Sequence, residues 1–231
     1  MNRSMTNKLN YILDNWVPPI IRDSELFMSF VFYIVFGKKY HYYMHFKDHS
    51  YRLKEADINQ YYDILSDTFI NRKTDLNTGC IKYILRNISG TTILDAAAGK
   101  GYLARLLKKQ GGGHLDICAV DIVLPKSKVE GINYKKATLT NLPFEADSFD
   151  TVICTHALEH IKDYECALTE LRRVCKKRLI VVVPKQREYK YTFDLHINFF
   201  PYVYHIQKLL DNPKATILEI GNDWVCVEDF S

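Results

Sequence analysis

The chain has 231 residues, 47% of them hydrophobic and 25% charged, with a net charge of +4. That length suits one α/β domain with an appendage, and that hydrophobic share supports a sizeable core, which excludes wholesale disorder. The charge is mild and its basic residues are scattered among acidic ones, so a nucleic-acid footprint is not expected.

Asn2 to Asn10 is polar and no small-residue cleavage site follows, so no secretory leader is expected. The six cysteines (Cys80, Cys118, Cys154, Cys166, Cys175 and Cys226) form no C-x-x-C pair and no zinc spacing. Several sit in apolar patterns as small hydrophobes, and a reducing, cytoplasmic setting fits them. Leu26 to Phe36 is aromatic and apolar but too short to span a bilayer. It reads as a buried element, with an interfacial anchor as the alternative; no stable membrane span is expected.

Residues 1–76 form an extension rich in tyrosine, phenylalanine and histidine, densest at Tyr40-His41-Tyr42-Tyr43-Met44-His45-Phe46. Trp16-Val17-Pro18-Pro19 marks a bend, since proline removes donors and restricts the residue before it. Glu55 to Phe69 has helical apolar spacing, with Tyr61, Tyr62, Leu65 and Phe69 on one face. Most of these aromatics are expected to pack against the main domain. The functional reading of the extension is a cap over a substrate pocket.

A polar turn, Asn71 to Thr78, leads into a helix expected over Gly79 to Asn87, with Asp75, Asn77 or Thr78 as its N-cap. Ser89-Gly90 breaks the chain before a short buried strand, Thr92 to Leu94. From there helix and strand alternate to the end, the pattern of a parallel, doubly wound sheet.

The organising stretch is Asp95-Ala96-Ala97-Ala98-Gly99-Lys100-Gly101, a small-residue turn between that strand and a helix opening near Gly101. Small residues let a ligand approach the backbone, and the helix N-terminus offers unpaired N–H groups. Gly99-x-Gly101-x-x-Ala104 formally fits a dinucleotide fingerprint. Asp95 argues against that reading, because a fixed carboxylate would repel a pyrophosphate placed over the turn. A ligand with a sulfonium and an ammonium, and no phosphate, suits it. The stretch resembles the first motif of class I S-adenosylmethionine-dependent methyltransferases, small-molecule branch. The usual family form has glycine where Ala97 stands, which narrows the room at the turn.

Gly111-Gly112-Gly113 ends the helix, and His114 to Val120 is expected as the second strand, closing on Asp121. An acidic residue about 20 positions beyond a glycine turn is placed to accept both ribose hydroxyls. The resemblance implies that role for Asp121, with Ile122 flanking the adenine. Tyr134 to Thr138 is expected as the third strand. There the resemblance places Thr138 and Leu139 at the adenine, Thr138 standing where the family often has an acid. Leu142-Pro143-Phe144, Ser148-Phe149-Asp150 and the fourth strand, Asp150 to Cys154, resemble the small-molecule branch again.

The fourth strand runs into His156-x-x-Glu159-His160, which matches a zinc-protease pattern, H-x-x-E-H. No further ligand in a suitable context is evident, so no metal site is expected. His156, nearest the strand's end, is the first candidate base, with Glu159 and His160 orienting the turn or lining the pocket. Tyr164 to Val174 reads as a helix ended by Lys176-Lys177-Arg178, followed by a buried fifth strand, Leu179 to Pro184. Lys185 to Phe193 reads as a polar, tyrosine-bearing loop, a candidate lid. Asp194 to Pro201 resembles a histidine–phenylalanine segment of related methyltransferases, making His196 a second acid/base candidate; a core or capping histidine is the alternative. A helix from Val203 to Leu210 and a hairpin, Ala215 to Ile220 with Trp224 to Glu228, close the chain.

The fold class expected is α/β: a Rossmann-like class I methyltransferase sheet over residues 77–231 with a C-terminal antiparallel hairpin, preceded by the aromatic extension 1–76. The resemblance implies S-adenosyl-L-methionine as cofactor and S-adenosyl-L-homocysteine as product. Asp95, Ala97, Gly99 and Gly101 would take the methionine end, and His156 or His196 a proton. The acceptor implied is an oxygen or nitrogen of a small polar metabolite, such as a sugar or phosphorylated precursor of a surface polysaccharide. Alternatives are a non-catalytic S-adenosylmethionine-binding partner protein and an NAD-dependent oxidoreductase. No nucleic-acid partner is expected, since Cys154-Thr155-His156 stands where an Asn/Asp-Pro-Pro-aromatic segment would be needed. The sequence sets no oligomeric state.

Overall fold

The computed structural model describes residues 8–9, 11–13, 15–53, 73–111 and 113–230. The helix expected over Glu55 to Phe69 lies outside the described residues, as do Asn71 and Arg72. The chain divides into two compact units: Met1–Asp75 with Glu188–Ile197, and Leu76–Arg187 with Asn198–Ser231.

In the first unit, α1 (Pro19–Arg22) starts on a proline, which costs nothing at a first helical position. In α2 (Glu25–Phe36) the Ser24 hydroxyl accepts a hydrogen bond from the Phe27 N–H, and Gly37, at φ +57°, stops the helix. Two short helices follow, α3 (Tyr40–Met44) and α4 (Phe46–Ser50). The unit's core gathers Met28, Phe32 and Tyr43 with Tyr191 and Phe193. Phe32 stacks on Phe193 with centroids 4.5 Å apart. The segment read as a polar lid is therefore partly core: Tyr189, Tyr191 and Phe193 are buried, and Lys47 Nζ donates to Glu188 (2.9 Å) and to the Tyr189 carbonyl (2.7 Å). Leu26 to Phe36 departs from its expectation as a buried element. Only Met28 and Phe32 of α2 are buried, because a single helix turns one stripe of side chains to a core and this one is apolar all round.

The second unit is built on a seven-stranded sheet in the order β3-β2-β1-β4-β5-β7-β6. Its strands are β1 (Thr92–Ala96), β2 (Asp116–Asp121), β3 (Ile132–Lys136), β4 (Phe149–Thr155), β5 (Cys175–Pro184), β6 (Thr216–Ile220) and β7 (Asp223–Asp229). The first five run parallel; β7 pairs antiparallel with both β5 and β6. Alternate side chains enter opposite cores: Leu179, Val181 and Val183 one face, Ile180 and Val182 the other. Helices α5 (Thr78–Arg86) and α6 (Tyr102–Gln110) cover the second face, while α7 (Tyr164–Val174) and α8 (Val203–Leu210) cover the first. Burial on both faces is why the central strands β1, β4 and β5 read as largely apolar runs.

Several boundaries differ from expectation by a residue or more, and two of the differences matter. β3 starts at Ile132, which is buried and pairs with Ile117; this register leaves Thr138 and Leu139 beyond the strand's end. The basic trio Lys176-Lys177-Arg178 does not end α7 but lies within β5. Each strand neighbour supplies a counter-charge: Lys177 Nζ meets Asp150 of β4 at 2.8 Å, and Arg178 Nε meets Asp229 of β7 at 2.6 Å.

Candidate active site at the carboxyl edge of the sheet

The order β2-β1-β4 puts the sheet's reversal point between β1 and β4, where ligands of open α/β sheets bind beyond the carboxyl ends of the strands. The chain leaving β1 folds back through three left-handed residues: Ala97 (φ 60°), Gly99 (φ 54°) and Gly101 (φ 69°). A Cβ built on Gly99 would meet nothing within 4 Å, so the turn leaves open space there; one on Gly101 would meet the Tyr134 ring at 3.3 Å. Ala97 holds a conformation that costs an L-residue with a Cβ about 1 kcal/mol. Ala97→Gly is accordingly expected to raise stability by about 0.5 kcal/mol, the relief being partly offset by glycine's unfolded-state entropy. Urea unfolding midpoints of the two proteins check this.

Helix α6 opens on Gly101, which has no side chain to cap it. Asp95 does so from the strand: its Oδ2 accepts from the Ala104 N–H at 3.0 Å. The carboxyl group is only 1% exposed. Burial pushes its pKa up to about 7, the Ala104 N–H pulls against this, and the Asp121 charge adds to it. No cation figures among the causes of that shift.

Asp121 ends β2. Its Oδ2 accepts from the Gly99 N–H at 2.7 Å and its Oδ1 from the Val123 N–H at 2.9 Å, tying the turn after β1 to the neighbouring strand. Burial raises its pKa, and the backbone N–H groups of Val123, Gly99 and Ile122 hold the rise back. Ile122 beside it is half-buried. Thr138 Oγ1 lies 3.1 Å from Thr140 Oγ1, and Leu139 is buried in the core. Asp95, Ala97, Gly99, Gly101 and Asp121 are thus brought together; Thr138 and Leu139 follow β3, the strand beside β2.

His156 continues β4 into a turn, its N–H donating to the Val182 carbonyl (2.8 Å) and its φ at +50°. Both ring nitrogens face buried carboxylates: Nδ1 lies 3.3 Å from Glu159 Oε1 and Nε2 3.5 Å from Asp223 Oδ2. Asp223 Oδ2 also accepts from Asn77 Nδ2 at 2.8 Å, while Asn77 Oδ1 caps α5. Burial pulls the imidazole's pKa down, but Asp223 and Glu159 more than reverse this and hold it at about 9. An imidazolium of that kind keeps its proton near neutrality, which argues against His156 as the resting base. His156 to His160 is not α-helical either; Leu158–His160 is a single 3₁₀ turn, so the helical spacing of the zinc pattern is not realised. His196 is buried and belongs to the other unit. Asp223 and Tyr134 carry no motif that marks them in the sequence, and Asn77 was legible there only as a helix cap.

Residues 94–183 match the family described as a methyltransferase domain. Demethylmenaquinone methyltransferase of Thermotoga maritima is 28% identical over 143 residues, covering 59% of this chain and 61% of that protein. A ubiquinone/menaquinone biosynthesis C-methyltransferase of Xylella fastidiosa is 31% identical over 99 residues, 38% of this chain and 39% of that protein. The chain therefore spans less than two thirds of these relatives. Among solved structures, Burkholderia thailandensis 1,6-didemethyltoxoflavin-N1-methyltransferase, bound to 1,6-didemethyltoxoflavin and S-adenosylhomocysteine, superposes with a TM-score of 0.56 at 18% identity. That match covers 75% of this chain and 85% of the other. An Aquifex aeolicus SAM-dependent methyltransferase gives 0.51 at 15% identity, over 77% and 98%. At these identities the likeness is one of fold.

Proposed function

Residues 94–183 belong to the class I S-adenosylmethionine-dependent methyltransferases, and from that premise we propose that the protein transfers a methyl group from S-adenosylmethionine to a small-molecule acceptor. The observation that carries the reading is Asp95: a buried carboxylate at the end of β1, without a cation among its influences, beside a glycine turn with open space. The S-adenosylmethionine ammonium and sulfonium suit it, and a pyrophosphate does not. When bound, that group supplies a methyl carried on positively charged sulfur and leaves as S-adenosylhomocysteine.

The chain's own contribution is alignment and exclusion of water. In this reading Asp95, Ala97, Gly99 and Gly101 hold the methionine end, Asp121 the ribose hydroxyls, and Ile122, Thr138 and Leu139 the adenine. His156, clamped by Glu159 and Asp223, fixes the turn after β4 in this reading. The named relatives act on quinone precursors and on a toxoflavin precursor, which supports a small organic acceptor with a nucleophilic carbon or nitrogen. They lend no support to a surface-polysaccharide precursor. Calorimetric titration with S-adenosylmethionine, S-adenosylhomocysteine and NAD tests the reading. Micromolar binding of the first two upholds it, and binding of NAD alone overturns it.

A further inference from the structure

We propose that Glu159 recognises the methyl acceptor by taking a hydrogen bond from an O–H or N–H that the acceptor carries, an inference that rests on the methyl-transfer reading. The Glu159 side chain is 0% exposed. Both of its carboxylate oxygens are buried, and no donor among the described residues hydrogen-bonds either of them. Oε1 lies 3.3 Å from His156 Nδ1, close enough for an ion pair but outside hydrogen-bond geometry. Buried polar groups are almost always hydrogen-bonded, so one that lacks a donor marks a place where a bound molecule completes the set.

The other carboxylate of the clamp is supplied with donors: Asp223 Oδ2 accepts from Asn77 Nδ2 at 2.8 Å and from Cys80 Sγ at 3.7 Å. The accepting capacity of the cluster is therefore left on Glu159. Asn198 fastens the turn that carries it, its N–H donating to the Glu159 carbonyl (3.0 Å) and its Nδ2 to the Leu158 and Ile161 carbonyls (2.8 and 2.7 Å). With its backbone fixed and its side chain enclosed, Glu159 does not swing out to bulk water. Its place is the reversal point of the sheet. Ala96 of β1 pairs there with Cys154 of β4; Asp95 precedes the first and Glu159 follows the second. The Cys154 thiol registers both: burial raises its pKa most, and the charges of Glu159 and then Asp95 add to the rise. The carboxylate on the β1 side suits the cations of S-adenosylmethionine, and the one on the β4 side suits a donor on the molecule to be methylated. An ionised carboxylate accepts and cannot donate, so it favours hydroxyl- or N–H-bearing acceptors over the corresponding ethers.

The test saturates the intact protein with S-adenosylhomocysteine and adds para-fluorophenol or para-fluoroanisole, their binding read by fluorine NMR. The wild type is expected to bind the phenol about tenfold more tightly than its methyl ether, the preference that a hydrogen bond to a charged group confers. Glu159→Leu is expected to lose that preference, and Glu159→Gln, which keeps the shape and a neutral accepting oxygen, to reduce it. Calorimetric binding of S-adenosylhomocysteine by the variants shows that they are folded. Should Glu159→Leu fail that control, the reduced preference of Glu159→Gln decides. The proposal is overturned if the wild type binds the two probes equally or binds neither, or if the folded variants keep the full preference. A wild type that does not bind S-adenosylhomocysteine brings down the methyl-transfer reading itself, and this proposal with it, so the two failures are distinguishable.

Discussion

Asp95→Asn is expected to weaken S-adenosylmethionine binding about 100-fold and, in the ligand-free protein, to raise stability at pH 8. The first effect follows from removing the buried carboxylate that would face the ligand's positive charge; a hydrogen-bonded charge of this kind contributes about 1.5–3 kcal/mol. The second follows from its titration. Burial raises the Asp95 pKa from the ordinary 3.8 to about 7, because ionisation in the buried site is costly. The folded state therefore binds more protons than the unfolded state between those values, and stability falls as pH rises through that window. The full difference corresponds to about 4 kcal/mol, an upper bound that asparagine escapes while its side-chain oxygen still accepts from Ala104. Urea unfolding at pH 4 and pH 8, beside calorimetry, measures both effects. A variant no more stable than the wild type at pH 8 would contradict the buried, ligand-matched carboxylate.

Replacing His156 should have the opposite sign. His156→Leu removes the cation between Glu159 and Asp223, each with a side chain 0% exposed, and is expected to cost about 3–5 kcal/mol at pH 6.5. The imidazole is held near pKa 9 in the folded state, above its ordinary 6.5, so its contribution is complete below pH 6.5 and disappears as pH rises through 9. The gap between wild type and variant should shrink by up to about 3 kcal/mol between pH 6.5 and 9.5. Denaturation curves at the two pH values decide it: a pH-independent gap would mean that His156 is held neutral.

The parts of the site legible in the sequence are those whose chemistry is local. Glycines supply the left-handed residues of the turn at 99 and 101, and the apolar runs mark the strand ends at which Asp95 and Asp121 stand, their roles being what the resemblance implies. The alternation of helices and apolar strands likewise gave the sheet, because burial on both faces leaves few polar positions in its central strands. What could not be read depends on distant partners. Lys177 and Arg178 looked like a helix end until Asp150 and Asp229 were seen beside them across the sheet. The clamp on His156, the first candidate base, could not be read, since nothing local announces Asp223 or the Asn77 that orients it, 146 residues apart from each other. The face of α2 was misjudged for a related reason: an apolar helix does not declare how much of its circumference its own unit will cover.

The position of β7 bears on how such a site comes into being. Asp223 opens β7, the strand that slots between β5 and β6. A growing polypeptide emerges from its N-terminal end, so the turn at 95–101, the Asp121 tie and the β4 end at His156 are all made before the residue that completes the charge cluster. Until the hairpin docks, His156 lacks its Asp223 partner, and the start of α5 lacks the anchor that Asn77 finds in Asp223 and the Ile220 carbonyl. The glycine turn and the His156 turn thus differ in kind: the first is held by residues of β1 and β2, the second by a strand 67 residues further along the chain.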